Sequence, residues 1–205
     1  YAEYVIVAGA ALGEAFQSAV AYGRILGDAK ARKNFKMVVV DPQQSRAAAM
    51  ADEWVPIRPA TDGALFMAIM NVLVHETGVY DEHYLRVHTN GGYLIGQDGY
   101  FLRDAESGKP LVWDTSSNRA RAFDDPFLSA DAIALLGAFR TDAGEGRPGF
   151  QLLLEHLRSY TPEWAEAITS VPAATIRRLA NELGQAAHIG ETIEIDGKTY
   201  PYRPV

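Results

Sequence analysis

Apolar and polar positions along this chain switch between two periods. Tyr4 to Val7 is a short apolar run. Met37 to Val40 is a continuous one, the pattern of a parallel strand covered on both faces. Trp54 to Ile57 makes a third strand. Between the first two, Glu14 to Leu26 carries Phe16, Val20 and Ile25 among small alanines and predicts a helix. Ser45 to Met50 predicts a short helix. Thr61 is placed to cap the next one, from Asp62 to about Thr77, with Leu65, Ile69, Val72 and Leu73 on its apolar face. Strand and helix in alternation predict an α/β fold with right-handed crossovers.

After Tyr80 the pattern shortens. Gly91 to Phe123 is rich in Gly, Asp, Ser and aromatics. It predicts two or three small antiparallel strands, with turns at Gln97-Asp98-Gly99 and Glu106-Ser107-Gly108. Asp124 to Gly149 reads as a loop with at most one helical turn. Helical spacing returns at Phe150 to Tyr160. Thr161 caps a helix starting at Pro162, and Pro172 opens another that ends near Leu183-Gly184. Glu191 to Tyr200 is a hairpin turning at Asp196-Gly197. The fold class expected is therefore α/β: a Rossmann-like parallel sheet with flanking helices, a small irregular β-rich insertion and a C-terminal helical return. The expected division is 1–90 with 150–190 as the α/β domain, 91–149 as the insertion, and 191–205 as a hairpin leading to a further domain.

Composition narrows the chemistry. A net charge of −7 on 205 residues argues against a nucleic-acid surface, which needs clustered Lys and Arg. It leaves room for one bound nucleotide, whose phosphates backbone N–H groups can meet. No apolar run approaches a bilayer span, so no membrane contact is expected from this segment. With no cysteine, disulfides, Cys-ligated iron–sulfur clusters and thiolate catalysis are excluded within the chain. The first strand starts almost at the first residue and the last residue follows a strand-like segment, as expected for a piece of a longer polypeptide.

The candidate chemistry lies between Met37 and Leu65. Asp41 ends the second strand, and Arg58-Pro59-Ala60-Thr61-Asp62 opens onto a helix. Acids at the carboxyl ends of parallel strands, beside helix N-termini, are where open α/β sheets hold nucleotides. Structural roles compete with that reading. Asp41 is also a good Asp-Pro turn former, and Asp62 also complements a helix dipole. Gly9 and Gly13 also suit close helix–strand packing. Arg58 has a surface acid or Asp52 as a simple partner. The five histidines show no metal-ligand spacing. Trp54, Trp113 and Trp164 read as core anchors.

The order of these pieces resembles the molybdopterin oxidoreductases of the dimethyl-sulfoxide-reductase type. Members carry a Gly-Ser-Asn-Pro-like turn after the first strand, a Val-Val-Asp-Pro-Arg strand end, and a long Ala-Asp-x-Trp-Val-Pro-Ile-Arg-Pro-Gly-Thr-Asp-x-Ala-Leu stretch. Here these stand as Ala8-Gly9-Ala10-Ala11-Leu12, Val39-Val40-Asp41-Pro42, and Ala51-Asp52-Glu53-Trp54-Val55-Pro56-Ile57-Arg58-Pro59-Ala60-Thr61-Asp62-Gly63-Ala64-Leu65. Tyr80-Asp81-Glu82-His83-Tyr84 and Tyr160-Thr161-Pro162-Glu163-Trp164-Ala165 are similar to later motifs of the same family.

The resemblance implies a cofactor, a molybdenum or tungsten ion between two molybdopterin guanine dinucleotides, with this segment gripping one guanosine diphosphate arm. Gly9, Ala10 and Ala11 would lie against the pyrophosphate. Asp41, Pro42, Gln43 and Ser45 would line the nucleoside, with Asp41 on the ribose. Ala60, Thr61 and Asp62 would hold the guanine, whose N1–H and N2–H₂ a carboxylate accepts together. Three positions depart from the family: Ala11 replaces its Asn, Gln43 its Arg and Ala60 its Gly. The implied partners are the remaining domains of a large subunit, which would carry the metal ligand and the second cofactor domain, and an iron–sulfur electron-transfer subunit. This segment alone is not expected to assemble the full metal site. An exported parent would be periplasmic. The insertion resembles that of relatives assigned to reduction of sulfur oxyanions or polysulfide. Two other readings stay open: a stand-alone NAD-type dehydrogenase module, and a non-catalytic interaction domain that keeps the fold.

Overall fold

The computed structural model describes residues 2–10, 12, 19–31 and 34–205. Strand β1 (Tyr4–Ala8) is followed by helix α1 (Ala19–Lys30), strand β2 (Lys36–Val40), the short helix α2 (Arg46–Met50) and strand β3 (Glu53–Val55). Helix α3 (Asp62–Asn71) runs directly into a π-helical turn at Val72–Glu76. Next come helix α4 (Glu82–His88), strand β4 (Leu94–Gly96), the hairpin of β5 (Leu111–Asp114) and β6 (Arg119–Ala122), a 3-10 turn at Ala130–Ala132, and strands β7 (Phe139–Thr141) and β8 (Gly144–Pro148). Helices α5 (Gly149–Leu157), α6 (Pro162–Thr169) and α7 (Ala173–Ala186) lead to the hairpin of β9 (Thr192–Ile195) and β10 (Lys198–Pro201).

Two compact units result, Tyr1–Val79 with Leu157–Val205, and Tyr80–His156. The compact units divide at Val79 and Leu157. Residues 80–90 bond to the second unit: the Tyr80 ring packs on Phe150 at 4.9 Å, and Arg86 Nε donates to the Ile133 carbonyl at 3.0 Å.

The first unit is built on a parallel sheet ordered β1-β2-β3. Alternate residues face opposite sides of a strand. Tyr4, Val38, Val40 and Val55 point to one side, into a core with Leu65, Ile69, Val72, Ile176 and Leu179 of α3, its π-helical extension and α7. Val7, Met37 and Val39 point to the other, against Ala47 and Ala48 of α2 and Leu26 of α1. Covering on both faces explains the unbroken apolar run of β2. The free edge of β1 is met by the end of the chain, where the Pro204 carbonyl accepts from Glu3 N (2.7 Å) and Tyr4 N (3.3 Å). The preceding hairpin turns at Asp196 and Gly197, with φ of 50° and 73°, the left-handed pair that suits strand twist.

Helix α1 continues to Lys30, four residues past the expected end at Leu26, because Ala29 is buried and Lys30 pairs with Asp52 at 3.5 Å. Gly13 and Phe16 lie outside the described residues. In α6, Thr161 Oγ1 caps by accepting from Trp164 N at 3.2 Å. Pro172 stands one place before α7, as its N-cap, and α7 runs to Ala186.

The second unit holds an antiparallel sheet ordered β4-β8-β7 and the β5–β6 hairpin. Residues 124–149, expected as a loop, contain β7 and β8. Strand β8 reads Gly-Glu-Gly-Arg-Pro and so carries no β-forming signature. A side chain at Gly146 would put its Cβ 2.7 Å from Leu102 Cδ1 and 3.2 Å from Leu94 Cβ, so close packing requires the glycine. Asp114, the last residue of β5, is buried and accepts from Ser116 Oγ and Ser117 Oγ (both 2.6 Å) and Arg121 Nε (2.8 Å). The two serine hydroxyls lead in holding its carboxyl well below the usual carboxylate range.

At the amino ends of the parallel strands, Glu182 of α7 accepts from Lys36 Nζ (2.7 Å), Arg178 Nη1 (2.8 Å) and Tyr4 Oη (2.9 Å). Arg178 also reaches Glu53. Burial pushes the Glu182 pKa up, but the three donors outweigh it and hold the group below its ordinary 4.5. A group depressed in the fold contributes stability above its unfolded pKa and loses it as pH falls through the folded value. Glu182→Gln is therefore expected to lower stability at neutral pH by about 1–2 kcal/mol. The deficit should shrink below roughly pH 4. Urea unfolding across pH measures this; a mutant that tracks the parent at every pH would show the network to be energetically neutral.

Candidate cofactor-binding edge

Parallel strands in register end together. Ala8 pairs with Val40, and Val40 with Val55. Two further bonds continue the ladder past the strands, Gly9 N to Val40 O (3.1 Å) and Asp41 N to Val55 O (3.2 Å). The loops after β1, β2 and β3 therefore leave from one edge of the sheet. Gly9, Pro42, Gln43 and Ala60 are exposed there, while Asp41, Ser45, Thr61 and Asp62 are half-buried. Among the described residues, packed side chains do not seal the edge.

The first loop turns at Gly9, whose φ of +57° favours glycine. Ala10 packs against the core formed by Val7, Met37 and Val39. Ala11 lies outside the described residues.

The second loop is a local device. Asp41 Oδ1 accepts from Gln43 N at 2.8 Å, the Asp-Pro turn expected as its structural role. This leaves Oδ2 without a protein donor among the described residues. The Asp41 carbonyl accepts from Trp54 Nε1 at 2.9 Å, so the β3 indole pins the start of the loop. Ser45 is the N-cap of α2 and accepts from Ala48 N at 3.3 Å; its O–H stays available as a donor.

The third loop departs from expectation at Thr61. With φ −114° and ψ 9°, Thr61 lacks the extended backbone of a capping residue, and its side chain makes no cap bond. Its hydroxyl instead donates to the Arg58 carbonyl at 2.7 Å, and its carbonyl accepts from Ala64 N at 3.0 Å. The cause is Ala60, held left-handed at φ +62°. Asp62 follows as the first residue of α3. Among the described residues its carboxylate has no hydrogen-bond or ion-pair partner. Among the same residues Arg58 pairs with neither Asp52 nor another acid. Its N–H donates to Thr169 O at 3.0 Å, and Nη1 lies 3.3 and 3.4 Å from the carbonyls of Ala167 and Ile168. Sequence reasoning missed this contact and the Trp54 bond to Asp41. The Arg58 partners are more than 100 positions away in sequence, and no local pattern marks them.

The described residues thus form an α/β unit with one acid at the end of β2 and another at the start of α3. Comparison with known proteins places this unit. A family model described as molybdopterin oxidoreductase matches residues 1–178. A sulfite dehydrogenase chain of Allochromatium vinosum is 38% identical over 168 residues, covering 76% of this chain and 17% of that protein. Dimethyl sulfoxide reductase DmsA of Haemophilus influenzae is 33% identical over 158 residues, covering 76% and 14%. Acetylene hydratase from Pelobacter acetylenicus has the same fold, with a TM-score of 0.50, 21% identity, and coverage of 89% of this chain and 16% of that one. The chain belongs to the molybdopterin oxidoreductase family and is a domain of the molybdenum-enzyme type, which implies a molybdenum–pterin cofactor. It spans about one sixth of the length of these curated relatives.

The left-handed alanine sets a test of the third loop. An L-residue in this region costs about 1–2 kcal/mol, partly offset by the extra unfolded-state entropy of glycine, about 0.5–1 kcal/mol. Ala60→Gly is expected to raise stability by about 0.5 kcal/mol. Chemical denaturation measures it, and a clear loss of stability would contradict the strained turn.

Proposed function

We propose that the edge formed by the three loops holds the guanosine diphosphate arm of one molybdopterin guanine dinucleotide. The observation that carries this reading is the unpartnered Asp62 carboxylate on an unsealed edge. A carboxylate on an open edge with no protein donor has its acceptor oxygens free for the donors of a ligand. Guanine supplies two in one plane, N1–H and N2–H₂, and adenine offers no such pair. Asp41, with one oxygen committed to its own turn, has the other for ribose hydroxyls. Pro42, Gln43 and Ser45 line the nucleoside, and Ala60 and Thr61 shape the guanine pocket. Gly9 and Ala10 offer main chain to the pyrophosphate, which suits an acidic protein with Gln43 in place of a cation.

The residues at the edge fit the nucleotide end of the group by donor and acceptor chemistry. The bound group would supply metal-centred redox chemistry, while this chain binds and orients its tail. In this reading the chain is one part of a longer large subunit. Other parts carry the metal ligand and the second dinucleotide site, and an iron–sulfur subunit carries the electrons. The length ratio to the curated relatives supports that division. Residues 80–156 are then an insertion in the cofactor-arm domain.

Thermal unfolding of the chain with GDP, GTP, ATP and NAD tests the reading. Guanine nucleotides alone are expected to stabilise, by about 2.7 kcal/mol at a hundredfold excess over Kd. Asp62→Ala should weaken GDP about tenfold or more and leave the unliganded melting temperature within a few degrees. Stabilisation by NAD alone would instead indicate a dehydrogenase module. Stabilisation by none would fit an interaction domain or an arm too weak without its partner domains, and equal cofactor content in a full-length Asp62→Ala enzyme and its parent would remove Asp62 from the site.

A further inference from the structure

A helix leaves its last carbonyls without intrahelical partners. In α6 the chain turns away at Ser170, left-handed at φ 66°, whose N–H returns to Glu166 O at 2.9 Å. The carbonyls of Ala167, Ile168 and Thr169 all face one residue, Arg58. Its guanidinium takes two and its main-chain N–H the third. The negative end of the helix dipole favours a cation there.

Arg58 also begins the turn that delivers Asp62. Its carbonyl accepts from Thr61 Oγ1, and Thr61 O accepts from Ala64 N. Only three residues separate Arg58 from Asp62. Pro59 has a fixed φ, Ala60 is left-handed, and Thr61 is tied back. A displacement of Arg58 therefore passes to Asp62 with little slack. Arg58 is exposed, and its guanidinium contacts are long, so they contribute little to the stability of the fold. Orientation of a ligand-binding group responds more steeply, since a shift of about 1 Å can cost a hundredfold in effect.

We infer that Arg58 is a positioning residue: by gripping the carbonyl end of α6 it fixes the turn that presents the Asp62 carboxylate to a guanine base. This rests on the guanine reading above. One nitrogen, Nη1, lies between the two carbonyls, at 3.3 and 3.4 Å, so a lysine ammonium that reaches the same point can replace part of the grip.

The test uses the 205-residue chain and Arg58→Ala, Arg58→Lys, Asp62→Ala and the Arg58→Ala/Asp62→Ala double variant. Affinities for GDP and IDP are measured by calorimetry, since inosine lacks the exocyclic amino group that Asp62 would accept from. Hydrogen exchange of the unliganded proteins is followed over residues 58–65. The wild-type chain is expected to prefer GDP over IDP about tenfold. In Arg58→Ala, which keeps the main-chain bond to Thr169, that ratio should fall part of the way toward the Asp62→Ala value. Exchange at 62–65 should quicken about tenfold while α7 keeps its protection. The double variant should be no worse than Asp62→Ala, and Arg58→Lys should recover part of the ratio. An unchanged GDP/IDP ratio in Arg58→Ala overturns the positioning role, whatever exchange does. A wild-type chain indifferent between GDP and IDP overturns the guanine site itself and this role with it, and is recognised before any variant is read.

Discussion

Parallel pairing in register is the constraint on which everything else rests. Because β1, β2 and β3 run the same way and finish level, three loops far apart in sequence must share one edge. The two ends of the sheet are treated in opposite ways. At the amino ends, Tyr4, Lys36, Glu53, Arg178 and Glu182 satisfy one another in a closed network. At the carboxyl ends, Asp62 has no partner among the described residues and Asp41 is only half used. Among the described residues, then, charges are paired at the amino ends of the sheet, while at the carboxyl ends the acids face the exposed edge.

Strain is distributed in the same way. The first unit buries Val38, Val40, Leu65, Val72, Ile176 and Leu179 almost completely, at roughly 1.5–3 kcal/mol of transfer free energy per side chain. Against that stabilisation, a left-handed Ala60 is a small loss. Local backbone strain persists only where the surroundings over-determine it. Here they do so through the Arg58–Thr61 bond on one side and the start of α3 on the other.

Much of this architecture is legible in the chain because periodicity reports burial. The apolar β2 run, the alternation of strand and helix, the Thr161 cap and the Asp196-Gly197 turn are local signals with local causes. What is illegible depends on distant contacts. Strand β8 has glycine at 146 because its neighbours leave no room for a side chain there, and no β propensity reveals that. Thr61 looks like a cap because Ala60 is an ordinary residue in sequence, while its left-handed backbone redirects the one that follows. At the edge, the positions of Asp41 and Asp62 follow from strand order. The groups that steady them, Trp54 and the carbonyl end of α6, do not.

The last point bears on how the first unit is assembled. Its sheet and α3 come from the first 79 residues, but α6 and α7 arrive only after residues 80–156. The core on the α3 side is incomplete without Ile176 and Leu179, and the third loop lacks its anchor until Thr169 is in place. Loop-closure entropy grows slowly with length, about 0.6 kcal/mol per doubling, so an intervening segment of this size adds little cost. The length of that segment is therefore nearly free to vary, whereas the returning helices are not. The core on the α3 side and the contact of the third loop with Thr169 are thus both completed from the two halves of a discontinuous unit.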